Sequence, residues 1–185
     1  ASVDEAWSIN QVPYLQTRLD GPKQWTRSVD LPLSNEKYLK SFLFSKSEAF
    51  GSDHPLFRWE RTLDSSKIAK QLNQAQKVGS SFFPNKIEVV SRGSSGRVTL
   101  LKIEGKTGSD IFLKLDDIRR VLRALPSTLF VVKEIKEGKW LFSGGGFGHG
   151  AGMSQSGAIE LAKSGWTTKQ ILDHYYPKTK YGFLP

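Results

Sequence analysis

From Gly146 to Gly152 every second residue is glycine, with Phe147, His149 and Ala151 between them. Glycine at 146, 148, 150 and 152 removes the side chains that would hold another molecule off the backbone, and it permits positive φ. One glycine is enough to turn a corner, so a run of this kind presents backbone and a single imidazole as a surface for a ligand. Upstream, Trp140, Leu141 and Phe142 read as a strand. Downstream, Ser154, Gln155 and Ser156 open a stretch in which Ala158, Leu161 and Ala162 keep helical spacing until Gly165 stops it. The run therefore joins a strand to a helix N-terminus, where free N–H groups and the helix dipole attract polar or anionic groups.

A second short helix follows, from Thr168 to Tyr176, with Thr167 and Gln170 as its capping box and Pro177 as its end. Elsewhere the pattern is strands with interspersed helices and no regular βαβ repeat. Leu56 to Arg61 reads as a strand. Asp64 is an N-cap for a helix whose face is Ile68, Leu72 and Ala75. Ile87–Val90 and Val98–Ile103 flank the turn residues Gly93 to Gly96 as a hairpin. Ile111–Leu113 is a further strand, and Asp116 is expected to cap a helix through Ile118, Val121 and Leu122. Thr128–Ile135 and Lys139–Phe142 form a second hairpin around Glu137-Gly138. Residues 1–55 are less periodic, which predicts long loops there. Hairpins with separate helices give an α+β fold on a largely antiparallel sheet, with several short helices and an irregular N-terminal region.

Composition narrows the chemistry. The 185 residues, 38% of them hydrophobic, suit one domain or most of one. The absence of cysteine excludes disulfides, thiolate metal sites and cysteine nucleophiles. His54, His149 and His174 have no paired carboxylates nearby in sequence, so no metal or other cofactor is expected. No apolar run approaches the about 18 residues of a membrane span, and no charged-then-apolar leader opens the chain. A net charge of +9 favours an anionic partner. Nucleic acid is not expected, because the basic residues are dispersed and no nucleic-acid motif occurs.

His149, open between Gly148 and Gly150, is the candidate to face a ligand, as donor to a sugar hydroxyl or as the group orienting another. Ser154 reads as the cap of the following helix. Gln155 reads equally as cap neighbour or as an amide reaching the same cleft. His174, Tyr175 and Tyr176 sit beside Ile171 and Leu172, which favours core packing for part of the trio. Glu5, Glu60 and Glu160 are candidate carboxylates for glycoside cleavage, but none lies in a motif, and Glu160 falls on an expected exposed helix face. Ser154, His149 and Asp173 make a triad only on paper, since G-x-S-x-G is missing. Gly105-Lys106-Thr107 lacks the first glycine of a phosphate loop, and Gly146 to Ala151 lacks the strand alternation of a dinucleotide fold.

Gly146 to Ala158, followed by Ile171-Leu172-Asp173-His174-Tyr175-Tyr176-Pro177-Lys178-Thr179, resembles the signature of the SpoIID/LytB family of sporulation lytic transglycosylases and amidase enhancers. The family pattern is roughly G-x-G-W-G-H-G-V-G-M-S-Q-x-G-A, then I-L-x-H-Y-Y-P-G-T. Phe147 replaces its Trp and Ala151 its Val. Val12 to Leu15, Trp59 before Thr62-Leu63, Ser95 to Val98, and Arg119 before Leu125 to Thr128 also match. The family's early Y-L-x-x-V-x-x-x-E-M segment, with its proposed catalytic Glu, has no counterpart here. Residues 1–185 therefore resemble the C-terminal portion of one such domain, and the catalytic residue is unknown within this chain.

The resemblance implies an exported protein of the cell wall, periplasm or outer membrane face. It implies a lytic transglycosylase cleaving peptide-stripped peptidoglycan glycan strands, with its glutamate outside this chain. His149, Gly148, Gly150, Ser154 and Gln155 would line the cleft. The alternative is a non-catalytic LytB-like wall-binding protein that enhances a wall amidase. The implied partners are glycan strands and either a wall amidase or the N-terminal part of the domain as a separate chain.

Overall fold

The computed structural model describes residues 2–7, 12–180 and 182. The chain begins with α1 (Asp4–Trp7), α2 (Lys23–Ser28) and α3 (Glu36–Phe44). Residues 1–55, expected as long loops, thus carry three short helices. In α3, Asn35 caps the first turn by accepting the Lys37 N–H at 3.0 Å, and Leu39 and Leu43, one turn apart, are buried.

Six strands follow: β1 (Arg58–Asp64), β2 (Pro84–Arg92), β3 (Val98–Gly105), β4 (Asp110–Lys114), β5 (Phe130–Lys136) and β6 (Lys139–Gly145). They form two antiparallel three-stranded sheets, ordered β1-β6-β5 and β2-β3-β4, so the fold is α+β as the hairpins implied. Between β1 and β2 lies α4 (Ser65–Gln74), where Asp64 accepts the Lys67 N–H at 2.8 Å. Leu63, Ile68 and Leu72 from this stretch join Leu101, Ile103 and Leu113 of one sheet and Phe130, Trp140 and Phe142 of the other in a single apolar core. Both sheets therefore shed water on the same set of side chains, which is the main favourable term in folding.

The short helix α5 (Asp117–Val121) follows β4. Asp116 does not cap it. Its backbone is already helical (φ −67°, ψ −17°) and its carboxylate makes no cap bond. The carboxylate turns instead to Arg119, through Nε and Nη2 at 3.0 Å each, and to Arg120 Nε at 3.1 Å. A fork to a guanidinium, charged on both sides, outcompetes a cap bond whose donor is a neutral N–H.

The chain ends in α6 (Gln155–Lys163) and α7 (Thr168–Tyr175). Thr167 and Gln170 form the expected capping box, and Gly165 (φ +85°) stops α6. The two helices share a small apolar cluster of Leu161, Ile171 and Tyr175, with Phe50, Ala158 and Tyr176 against it. No helix among the described residues is long and apolar enough to cross a membrane.

Candidate functional site

The register of β1 on β6 pairs Arg58 with Gly145, so the glycine run leaves the central strand of its sheet beside the start of β1. There the Gly146 N–H donates to the Phe57 carbonyl at 3.1 Å, and the Trp59 indole donates to the Gly146 carbonyl at 3.0 Å. One turn further, the Gly148 N–H meets the Pro126 carbonyl at 2.9 Å and pairs in a short parallel bridge with Ser127. The Ser127 hydroxyl, itself buried, donates to the Gly145 carbonyl at 2.7 Å. All four alternating glycines hold positive φ, from +75° to +83°. The loop is thus fixed by backbone bonds.

Phe147 is 67% exposed, the most exposed of the large hydrophobic residues described. His149 is partly buried, and its Nδ1 accepts the Ala151 N–H at 3.1 Å. This contact places the proton of the neutral ring on Nε2. Burial pushes the imidazole below its ordinary value; the positive charges of Arg97 and Arg119 lower it further, while Asp116 opposes them. At neutral pH His149 is therefore an uncharged ring, suited to donate a hydrogen bond through Nε2–H.

At Gly150 a Cβ would collide with the Arg97 guanidinium, so only glycine lets the loop lie on that side chain. Arg97 is 8% exposed, and burial lowers its guanidinium to about 10, with Glu5 and Asp116 pulling the other way. It stays charged at neutral pH. Across the β2–β3 turn lies Glu5, 6% exposed. Its carboxylate accepts from the Ser94 hydroxyl at 2.9 Å, the Ser95 N–H at 3.2 Å, the Ser95 hydroxyl, and Thr17 at 3.5 Å. Gly93 leaves room for it, since a Cβ there would strike the carboxylate. Glu5 is a clasp between α1 and the hairpin.

The other candidate carboxylates are also engaged. Glu60 accepts from the Ser143 hydroxyl at 3.0 Å across β1 and β6. Glu160, expected on a solvated face, instead accepts the Gly51 N–H at 2.5 Å and ties α6 to the chain before β1. The sequence separation between Gly51 and α6 hid that contact. Asp173 faces Lys169 Nζ at 2.6 Å on the exposed side of α7, so the paper triad has no buried carboxylate to orient its histidine.

Ser154 caps α6, its hydroxyl accepting the Gly157 N–H at 3.2 Å. A Cβ on Gly157 would strike the Tyr175 hydroxyl and crowd Asp20, so glycine lets this end of α6 close on α7. Asp20 accepts the Tyr175 hydroxyl at 2.8 Å and lies 2.8 Å from His174 Nε2. His174 and Tyr175 belong to this internal network, which agrees with the packing reading. Gln155 is the exposed first residue of α6. Gly105-Lys106-Thr107 forms the β3–β4 turn and precedes no helix. Among the described residues no three His, Asp or Glu side chains converge as a metal site.

Sequence reading did not single out the groove beside the loop. Arg61 of β1, Arg119 and Arg120 of α5, and Arg123 surround a space of about 380 Å³ with Leu56, Ala124, Leu125, Pro126 and Phe147. Arg61 and Arg119 are 58 positions apart in the chain, and only the packing of β1 near α5 brings them together. The exposed Phe147 connects this groove to the glycine loop.

These features define a class: an α+β domain whose central strand runs into a fixed, alternating-glycine loop bordering an arginine-lined groove. The chain belongs to the family described as Domain of unknown function (DUF8618), whose sequence profile matches residues 1–152. It is similar to the amidase enhancer of Bacillus subtilis (strain 168), at 28% identity over 199 aligned residues that take in 95% of this chain and 27% of that protein. It is also similar to an uncharacterized protein of Brachyspira hyodysenteriae (strain ATCC 49526 / WA1), 38% identical over 84 residues, covering 44% of this chain and 21% of the relative. The chain thus spans 27% and 21% of the lengths of these two curated relatives.

Proposed function

We propose that this chain is part of an exported bacterial cell-wall protein of the amidase-enhancer type, which assists a wall amidase without cutting the wall itself. The observation that carries this is the alignment of 95% of the chain with the Bacillus subtilis amidase enhancer. The engagement of the candidate carboxylates supports it. Glu5, Glu60 and Glu160 each hold structure together through their oxygens, and a general acid needs an oxygen within reach of the leaving group. In this reading the net charge of +9 draws the protein to an anionic wall. His149 and Phe147 present a donor and a ring face to sugar, flanked by Gly148 and Gly150.

The test combines purified wall, a purified wall amidase and this chain. The expected result is faster release of amide-linked peptide with the chain than without it, and no soluble fragments from the chain alone. His149→Ala should lower the enhancement while the thermal midpoint stays close to that of the parent. Unchanged amidase rates across a range of added chain would overturn the proposal.

A second reading is favoured by the glycine loop around His149, where Phe147 is exposed. Here the parent protein is a lytic transglycosylase of peptide-stripped glycan, its acid supplied from outside residues 1–185, with His149, Ser154 and Gln155 in the cleft. Anhydro-ended sugar fragments from the longer protein, lost on His149→Ala, would select this reading.

A further inference from the structure

The arginine groove has no role in either reading. Its four guanidiniums come from two directions, Arg61 from β1 and the others from α5 and the residues after it. Asp116 pairs with Arg119 and Arg120, and Arg61 Nη1 donates to its neighbour's carbonyl at 2.7 Å. Asp116 is 7% exposed and lies behind the arginines, whereas the Arg120 side chain is 66% exposed. Four positive groups and one recessed carboxylate leave a strongly positive opening. The same space is lined by apolar Leu56, Ala124, Pro126 and Phe147, with Leu125 buried beneath them.

This combination selects among anions. A carboxylate is planar, and its two oxygens present their lone pairs mainly in one plane, which suits a guanidinium fork approaching in that plane. A phosphate is tetrahedral, and its oxygens leave in different directions, so it accepts from guanidiniums on separate walls. This apolar lining and the Phe147 ring suit carbon-bound hydrogens next to the charge, such as those of a polyol or sugar. We infer that the groove binds a phosphate group carried on a glycerol or sugar unit, with Arg61, Arg120 and Arg123 on the phosphate and Phe147 against the carbon skeleton. The same chemistry occurs in a phosphodiester polymer and in a lipid headgroup. The inference does not depend on enhancement of an amidase, and its test contains none.

The experiment measures binding of the whole chain by calorimetry to four probes at fixed salt. They are glycerol 3-phosphate, a lipid-free glycerol phosphate polymer, phosphatidylglycerol vesicles, and polygalacturonate as a polymeric carboxylate. The glycerol phosphate polymer should bind more tightly than the polygalacturonate. The double variant R61Q/R123Q should weaken it by roughly tenfold or more, the scale expected for losing hydrogen bonds to a charged group. The pair K67Q/K163Q, which removes equal charge from the exposed faces of α4 and α6, should leave affinity within about twofold, since salt screens charges farther than a Debye length. Phe147→Ala should weaken binding without altering the salt slope, and thermal unfolding should show every variant folded. Vesicle binding without polymer binding supports the site with the headgroup as its source. Equal or tighter binding of polygalacturonate, equal loss in K67Q/K163Q, or no binding of any phosphate probe at physiological salt would overturn the inference.

Discussion

The two sheets bury Leu63, Ile68, Leu101, Phe130, Trp140 and Phe142 in one apolar core, whereas α6 and α7 bury Leu161, Ile171 and Tyr175. What the helical pair lacks in apolar area it recovers in polar contacts. Asp20 holds His174 and Tyr175, and Glu160 holds Gly51. The difference teaches that the molecule has one region held by packing volume and another held by a few polar contacts. The glycine loop lies between them, rooted in the first and leading into the second.

The comparison can be broken most severely in the core. Phe130 is fully buried, its ring centroid 5.3 Å from Phe142 and 6.5 Å from Trp59. Phe130→Ala should cost about 3–5 kcal/mol, read as a large fall in the thermal midpoint with both sheets melting together. A loss below about 1 kcal/mol would mean the sheets are not one cooperative unit. Asp20→Ala should cost about 2 kcal/mol by removing bonds to a charged acceptor, and the cost should be local. Hydrogen exchange should quicken in α6 and α7 while β3 and β6 keep their protection. Equal quickening in the sheets would erase the distinction.

Titration separates the helical pair from the loop by direction. Burial and the neighbouring Asp20 raise the Tyr175 phenol above its usual range. The folded state then holds the proton more tightly than the unfolded, so this stability is complete below about pH 10 and is lost as pH rises beyond it. His149 is shifted down, by burial and then by Arg97 and Arg119, so its contribution is present above about pH 6.5 and is lost as pH falls below that value. Amide exchange should quicken first in α6–α7 on the alkaline side and first around residues 146–152 on the acid side. The reverse order would contradict both assignments. The smallest effect is expected at Lys178, which holds φ +68° where the resembling family pattern has glycine. Lys178→Gly should relieve about 1–2 kcal/mol of left-handed strain, less about 0.4–1 kcal/mol from the freer unfolded chain. The midpoint should rise slightly; a clear fall would show that the lysine side chain contributes contacts of its own.

The elements that sequence made legible are those set by neighbours in the chain. Asp64 and Thr167 announce their helices because a cap acts within one turn. The β2–β3 and β5–β6 hairpins are announced by their turn residues, and the positive φ of the loop glycines by their alternation. What escaped depends on distant partners. Asp116 reads as a cap until Arg119 and Arg120 are seen folding back on it. Glu5 reads as a stray acid until Ser94 and Ser95 meet it, and Glu160 as solvated until Gly51 does. Only α3 was legible yet overlooked, since Asn35 with Leu39 and Leu43 is a local signal. The arginine groove needed β1 beside α5, which no local pattern encodes.

Trp59 gives the loop a voice of its own. Its indole N–H ends on the Gly146 carbonyl while its ring stays 5% exposed beside Phe130. The chain has five tryptophans, so its one-dimensional proton spectrum holds few indole signals, and each can be assigned by single replacement. The Trp59 signal responds to its hydrogen bond to the first loop glycine and to the Phe130 ring beside it. A ligand that shifts the first loop glycine would move that signal, so loop occupancy can be followed in an unlabelled sample.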